Sequence, residues 1–282
     1  MAESKIAGTK NRVRPDFATI GGLLLAVGGI AGGLVLEGGR LQDVAQVTAA
    51  MIVLGGTLGA VMITTPHSIL VRAAGQLRHV FLSRTEPVSA RIEEIIRFAA
   101  HARRSGIVSL EDQASAIPDP FLRKALQLAV DGVEPVRIRE IMRLDTDLFE
   151  QNAEADVRVF ESAGGYAPTI GIIGAVLGLI QVMKHLDDLD AVGRGIAVAF
   201  VATIYGVGSA NILFLPAAAK LRARSQALVR LRELTLEGVL GIAEGVNHYL
   251  IRTRLEAFLE KKSASGSDRA NGELNPAALK AS

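Results

Sequence analysis

Few residues between positions 163 and 219 can do chemistry. Ala163–Met183 reads AGGYAPTIGIIGAVLGLIQVM and Gly195–Ala219 reads GIAVAFVATIYGVGSANILFLPAAA, and neither contains Asp, Glu, His, Lys or Arg. The groups left are hydroxyls, amides and two prolines. Thr203 can donate to an ion, a water or a carboxylate, or simply to its own helix. Pro168 and Pro216 each remove a backbone donor and free a carbonyl, and in lipid that carbonyl must find another partner. The two prolines lie at similar depth, so they read either as tolerated kinks or as a paired hinge. Asn211 faces away from Thr203 and reads as glue between helices. Without a carboxylate or imidazole these segments cannot relay a proton by themselves. Any ion role needs a titratable group from another chain.

The rest of the sequence excludes other chemistries. There is no cysteine, hence no disulfide and no thiolate metal site. His67, His79, His101, His185 and His248 are scattered without ligand spacing. No nucleophile–base pair, metal cluster or phosphate loop is visible, so the chain does not read as an enzyme and no cofactor is expected. A net charge of +2 is too small to imply a nucleic-acid partner.

The elements that must position Thr203 and the prolines are membrane spans. A span needs about 20 apolar residues, and four segments qualify: Phe17–Leu36, Val44–Thr65, Ala163–Met183 and Gly195–Ala219, all without Asp, Glu, His, Lys or Arg. Lys10, Arg12 and Arg14 precede the first, but its length and the nearby second span make it a retained anchor rather than a cleaved leader. Lys and Arg placement sets orientation. Basic residues gather at the N-terminus, after the second span (Arg72, Arg78, Arg84) and after the fourth (Lys220, Arg222, Arg224). Both termini and the insert therefore face the cytoplasm, and the loops Glu37–Asp43 and Lys184–Arg194 face outside. The fold class is an all-α membrane protein, with a helical cytoplasmic insert between spans 2 and 3 and a helical cytoplasmic tail. Its divisions are 1–16 (N-terminus), 17–65 (spans 1 and 2), 66–162 (insert), 163–219 (spans 3 and 4), 220–262 (tail helix) and 263–282, which reads as disordered.

Within the insert, Ile92, Ile95, Ile96 and Ala99 repeat at helical spacing over Val88–Arg104. Ser109-Leu-Glu-Asp112 resembles a capping box. Asp119-Pro120 fits an N-cap followed by the first helical residue, and Gly132 fits a stop. Val136–Ser162 is helical and can run on into the third span. In the spans, Gly164, Pro168, Gly171, Ala175 and Gly178 share one face, as do Ala199, Thr203, Gly206, Ala210 and Ala217. Such small-residue faces let helices approach closely. They serve either packing within one chain or contact with a partner helix along an ion path.

Together, YAPTIGIIGAVLGLI, the acidic loop HLDDLDAVG and AVAFVATIYGVGSANILFLPAAAKL, in this span order, resemble the MotA/PomA family of flagellar stator A subunits over about residues 15–260. The resemblance implies a bacterial inner-membrane torque unit. In it a ring of A subunits, a pentamer in the family, surrounds a dimer of MotB-like single-span subunits, and an aspartate of that partner carries the ion. Pro168 and Pro216 match the coupling prolines, and Thr203 matches the pore-facing threonine. Ala175 and Ala202 match positions where sodium-type relatives carry threonine; two alanines offer no side-chain oxygens, so the expected ion is a proton. The segment ARIEEIIRFAAHARRSGIVSLED matches the part facing the rotor switch protein FliG, with Arg103 and Arg104 as the basic site and Glu111 with Asp112 as the acidic one. Membrane lipid is the remaining partner. The alternative reading is an ExbB/TolQ-like energiser of outer-membrane processes; two close-set N-terminal spans behind a basic N-terminus argue against it. A self-contained channel is a second alternative, and it predicts ion flux from the purified chain alone.

Overall fold

The computed structural model describes residues 14–83 and 87–258. Lys5, Lys10, Arg12, Arg84 and the polar tail from Ser263 lie outside the described residues. The chain divides into two compact units, one within Met1–Arg84 and Gln151–Ser225, the other within Thr85–Glu150 and Gln226–Ser282.

The first unit contains helices of span length and composition. Helix α1 (Phe17–Leu36) starts where the Asp16 carboxylate accepts from the Thr19 amide, 3.2 Å away. None of its residues is buried by this chain. The second span is not one continuous α-helix. It comprises α2 (Leu41–Val44), a non-helical step at Ala45–Gln46, α3 (Val47–Ala50), a π-helical turn at Met51–Gly55 and α4 (Gly56–Thr64). Helix α5 (His67–Phe81) follows, and Leu82–Ser83 pairs antiparallel with Arg14–Pro15.

The third span lies inside α9 (Pro135–Lys184), an uninterrupted 50-residue helix with Pro168 within it. The charged pattern before Ala163 thus does run on into the apolar span. The fourth span comprises α10 (Leu189–Gly208), a π-helical stretch at Ser209–Phe214 and the start of α11 (Leu215–Ala243). The Asp188 carboxylate caps α10, accepting from the amides of Asp190 and Ala191 at 2.9 and 3.1 Å. These bonds hold its pKa below the usual carboxylate range. The tail helix therefore does not begin afresh at Lys220. It continues the span to Ala243, turns at Gly245 with φ +68°, and resumes over 248–258.

Charged side chains tie the first unit together next to its apolar helices. The Arg72 guanidinium donates to Asp156 at 2.7 Å and to the Asn152 side chain at 2.9 Å. The Arg222 guanidinium donates to Glu154 at 2.7 Å and to Glu161 at 2.5 Å. The pairing raises the Arg222 pKa and lowers that of Glu154. Lys220 bonds Asp16 and Thr19, which fastens the start of α1 to α11. Beside these pairs, Ala73, Val80, Val157, Phe160, Ala217, Ala218 and Leu221 form an apolar cluster.

The second unit is a helical core. In α6 (Val88–Ser105) the apolar repeat does what its spacing requires: Ile92, Ile95, Ile96 and Ala99 are all buried. Helix α8 (Pro120–Val130) buries Phe121, Leu122, Ala125, Leu126 and Ala129 on one face. Each buried Leu contributes about 2 kcal/mol. Asp119 caps α8 by accepting from the Phe121 amide at 3.0 Å, and Gly132 ends it with φ +74°. The same carboxylate receives the buried Arg91 at 2.6 Å. Ser109 departs from expectation. It sits in a 3-10 turn, Ile107–Leu110, and its hydroxyl donates back to the Gly106 carbonyl at 2.6 Å. The following helix α7 (Glu111–Ser115) starts after Leu110 with no side-chain cap, so no capping box forms. Gly106, at φ +82°, sets the chain into that tight turn, which uses the serine locally.

Candidate functional site

The small-residue faces of spans 3 and 4 meet each other within the chain. A methyl group on Gly171 would lie 3.0 Å from the Ala202 carbonyl and 3.1 Å from Gly206 Cα. One on Gly206 would lie 2.6 Å from the Ala167 carbonyl, and one on Gly178 would lie 2.8 Å from the Gly195 carbonyl. The backbones touch along this line, the contact that small residues permit. For Gly171, Gly178, Ala199 and Gly206, packing within the chain is therefore the outcome. Ala202 is fully buried with Ala49, Val53 and Val201. Its methyl faces Gly174 and does not open on a free surface.

Thr203 behaves differently from its neighbours on the sequence stripe. It is exposed, and its hydroxyl donates to the Ala199 carbonyl at 3.1 Å. The packed face passes through Ala199, Ala202 and Gly206, which leaves Thr203 beyond its edge. Ala175 and Pro168 are half-buried, and Pro216 is exposed. Asn211 bonds its own helix, donating to the Val207 carbonyl at 2.9 Å, and so is not glue between helices within this chain.

The two prolines are brought together through their neighbours. Gly164 precedes Pro168 by four residues, so its carbonyl loses the usual helical amide. Gly164 packs closely against Leu215, the residue before Pro216. The π-helical stretch Ser209–Phe214 ends immediately before Leu215, whose amide bonds the Ala210 carbonyl five residues back. Widened turns of this kind are frequent at functional sites. Here the wider turn precedes a proline whose ring would clash with the carbonyl four residues earlier. Sequence periodicity shows neither π turn, because the spans are apolar around most of their circumference and a shift of about 100° in phase leaves no mark on them.

In the second unit, Arg103 and Arg104 occupy the last turn of α6, where cations suit the helix dipole. Glu111 and Asp112 occupy the first turn of α7, where anions do. All four are exposed. Arg104 donates to the Ala100 carbonyl at 3.2 Å, and the described ion pairs include none between the two sets. Leu110 and Ala114, buried in the core, anchor the corner that carries them. A fixed corner thus presents both signs of charge to solvent, a surface suited to electrostatic steering and reversible contact. No group of three metal-ligating side chains occurs among the described residues.

Four apolar helices of span length define the class as a multi-span membrane protein. Residues 20–99 match the family model "Motility protein A N-terminal", and residues 113–234 match "MotA/TolQ/ExbB proton channel family". The chain is 35% identical to motility protein A of Bacillus subtilis, an alignment covering 92% of this chain and 97% of the relative. It is 30% identical to chemotaxis protein PomA of Vibrio alginolyticus, over 87% and 96%. Its fold is similar to a chain of the flagellar MotAB stator complex from Bacillus subtilis, with a TM-score of 0.82, 34% identity, and 89% and 99% of the chains covered. The C. jejuni MotAB structure is equally similar, at a TM-score of 0.82 and 35% identity. The chain belongs to the motility protein A family, as a subunit of the flagellar motor stator and not an enzyme. The match at 20–99 names motility protein A alone, whereas the match at 113–234 also names TolQ and ExbB.

Proposed function

We propose that this chain, in the bacterial inner membrane with both termini cytoplasmic, couples proton flow to torque together with a MotB-like single-span subunit. Several copies, five by likeness to the family, surround that partner, with lipid outside. The partner supplies the aspartate that carries the ion. The observation carrying this reading is the contrast between a charge-free pair of spans and the exposed Thr203 at the edge of their packed face. The spans have a hydroxyl to offer an ion or a partner carboxylate, but no group to titrate. Pro168 and Pro216, linked through Gly164 and Leu215, are the hinge that passes the change to the cytoplasmic side. Arg103, Arg104, Glu111 and Asp112 engage FliG on the rotor. Proton use is supported by the lack of side-chain oxygens at Ala175 and Ala202.

The test is motor speed in a motile host expressing this chain and its partner. Speed should follow the proton gradient and stay constant when external sodium is varied at fixed pH. Speed that tracks sodium refutes proton use, and ion flux from the purified chain alone refutes the need for a partner.

A further inference from the structure

The second span is broken near the end that follows the Glu37–Asp43 loop. Helix α2 ends at Val44, Ala45 and Gln46 are not helical, and α3 begins at Val47. Exposed amides and carbonyls at such a step need partners that hydrocarbon cannot give. Tyr205 of α10 supplies them. Its phenol donates to the Val44 carbonyl at 2.5 Å and accepts from the Gln46 amide at 3.3 Å. The Gln46 side-chain oxygen is buried without a hydrogen bond, so it does not serve the break itself. Val44 and Tyr205 also pack on the cluster of Ala49, Val53, Val201 and Ala202.

Tyr205 and Thr203 are two residues apart, which places them about 200° apart around the helix. One faces the second span and the other is exposed on the far side. We propose that Tyr205 is a positioning residue for Thr203. By bonding a fixed point of the second span, it sets the rotation of the fourth span about its axis, and with it the direction in which the Thr203 hydroxyl is presented. Apolar contact at Val201 and Ala202 tolerates small rotations, whereas the two phenol hydrogen bonds are directional. The proposal rests on Thr203 being the ion-side hydroxyl.

The experiment uses the whole stator in a motile host with a bead attached to the flagellum. Speed steps count incorporated units, and step height reports torque per unit. Tyr205→Phe keeps the ring and removes the hydroxyl. We expect normal unit numbers and a step height lowered by up to roughly five-fold, the limit set when losing both phenol hydrogen bonds has a net effect of about 1 kcal/mol on the equilibrium. An unchanged step height overturns the proposal, including the case where only unit number falls, since that indicates assembly alone. Should the variant fail to reach the membrane, amide exchange in the wild-type complex decides. Gln46 is expected to exchange far more slowly than a free amide, and exchange at the free rate overturns the proposal. Thr203→Val separates the two readings. If it leaves step height unchanged, the ion-side assignment fails. If it lowers step height while Tyr205→Phe does not, only the positioning role fails.

Discussion

Gly206→Ala tests the packing of spans 3 and 4 at its tightest point. The added carbon would lie 2.6 Å from the Ala167 carbonyl and 3.0 Å from Gly171 Cα, both backbone atoms that no rotamer change can move. Reaching ordinary contact at 3.4 Å requires the helices to part by 3.4 − 2.6 = 0.8 Å. A gap of that size forfeits about a quarter to a half of each dispersion contact along the line, and overpacking of this kind costs about 1–3 kcal/mol. Alanine returns about 1 kcal/mol of helix propensity. Gly208, two residues on, has nothing within 4 Å, so Gly208→Ala keeps that gain without the clash. The two variants should therefore differ by roughly 2 kcal/mol in stability, with opposite signs relative to the parent. Thermal unfolding of the detergent-solubilised chain measures this, and cellular torque should fall for Gly206→Ala. Equal melting of the two variants would refute the close approach of the spans, and with it the face assigned to Thr203.

Asp119→Ala removes a helix cap and one carboxylate partner of buried Arg91, which keeps Glu94 at 3.6 Å, so unfolding of the whole chain should show a loss of about 2 kcal/mol. Ser109→Ala, at a site that is not a cap, should cost well under that, within about 1 kcal/mol. Reversing Arg103 and Arg104 to Glu should leave stability within about 0.5 kcal/mol, since both are exposed, yet abolish swimming, with partial recovery from reversed charges on the rotor protein. The Arg222 cluster carries a pH signature. Glu154 is held below its ordinary value of 4.5 by the Arg222 guanidinium. A carboxylate with a lowered folded pKa stabilises above its unfolded pKa, and that contribution fades as pH falls through the folded value. The melting gap between the parent and Arg222→Gln should thus be constant near neutrality and close only below pH 4.5, and a gap that persists in acid would contradict the pairing.

Periodicity and charge in the sequence determined a great deal here. The runs from Phe17 to Leu36, Ala163 to Met183 and Gly195 to Ala219 are apolar enough that only a membrane suits them. Asp119-Pro120 and Gly132 are local signals, and they behave locally. The absence of any titratable carboxylate in the spans is also a sequence fact, and the proposal of an ion-carrying group on the partner starts from it. Tertiary structure decided which small residue faces which neighbour. Gly171, Gly206 and Thr203 look equivalent on a helical wheel, yet two are buried by the neighbouring helix and the third is exposed. The π turns at Met51–Gly55 and Ser209–Phe214, the step at Ala45–Gln46 and the phenol that closes it were likewise settled by packing. The physical reason is that a hydrogen bond across 161 residues, such as Tyr205 to Val44, leaves no trace in local spacing. Spacing reports which faces can be buried; only contact between helices reports against what.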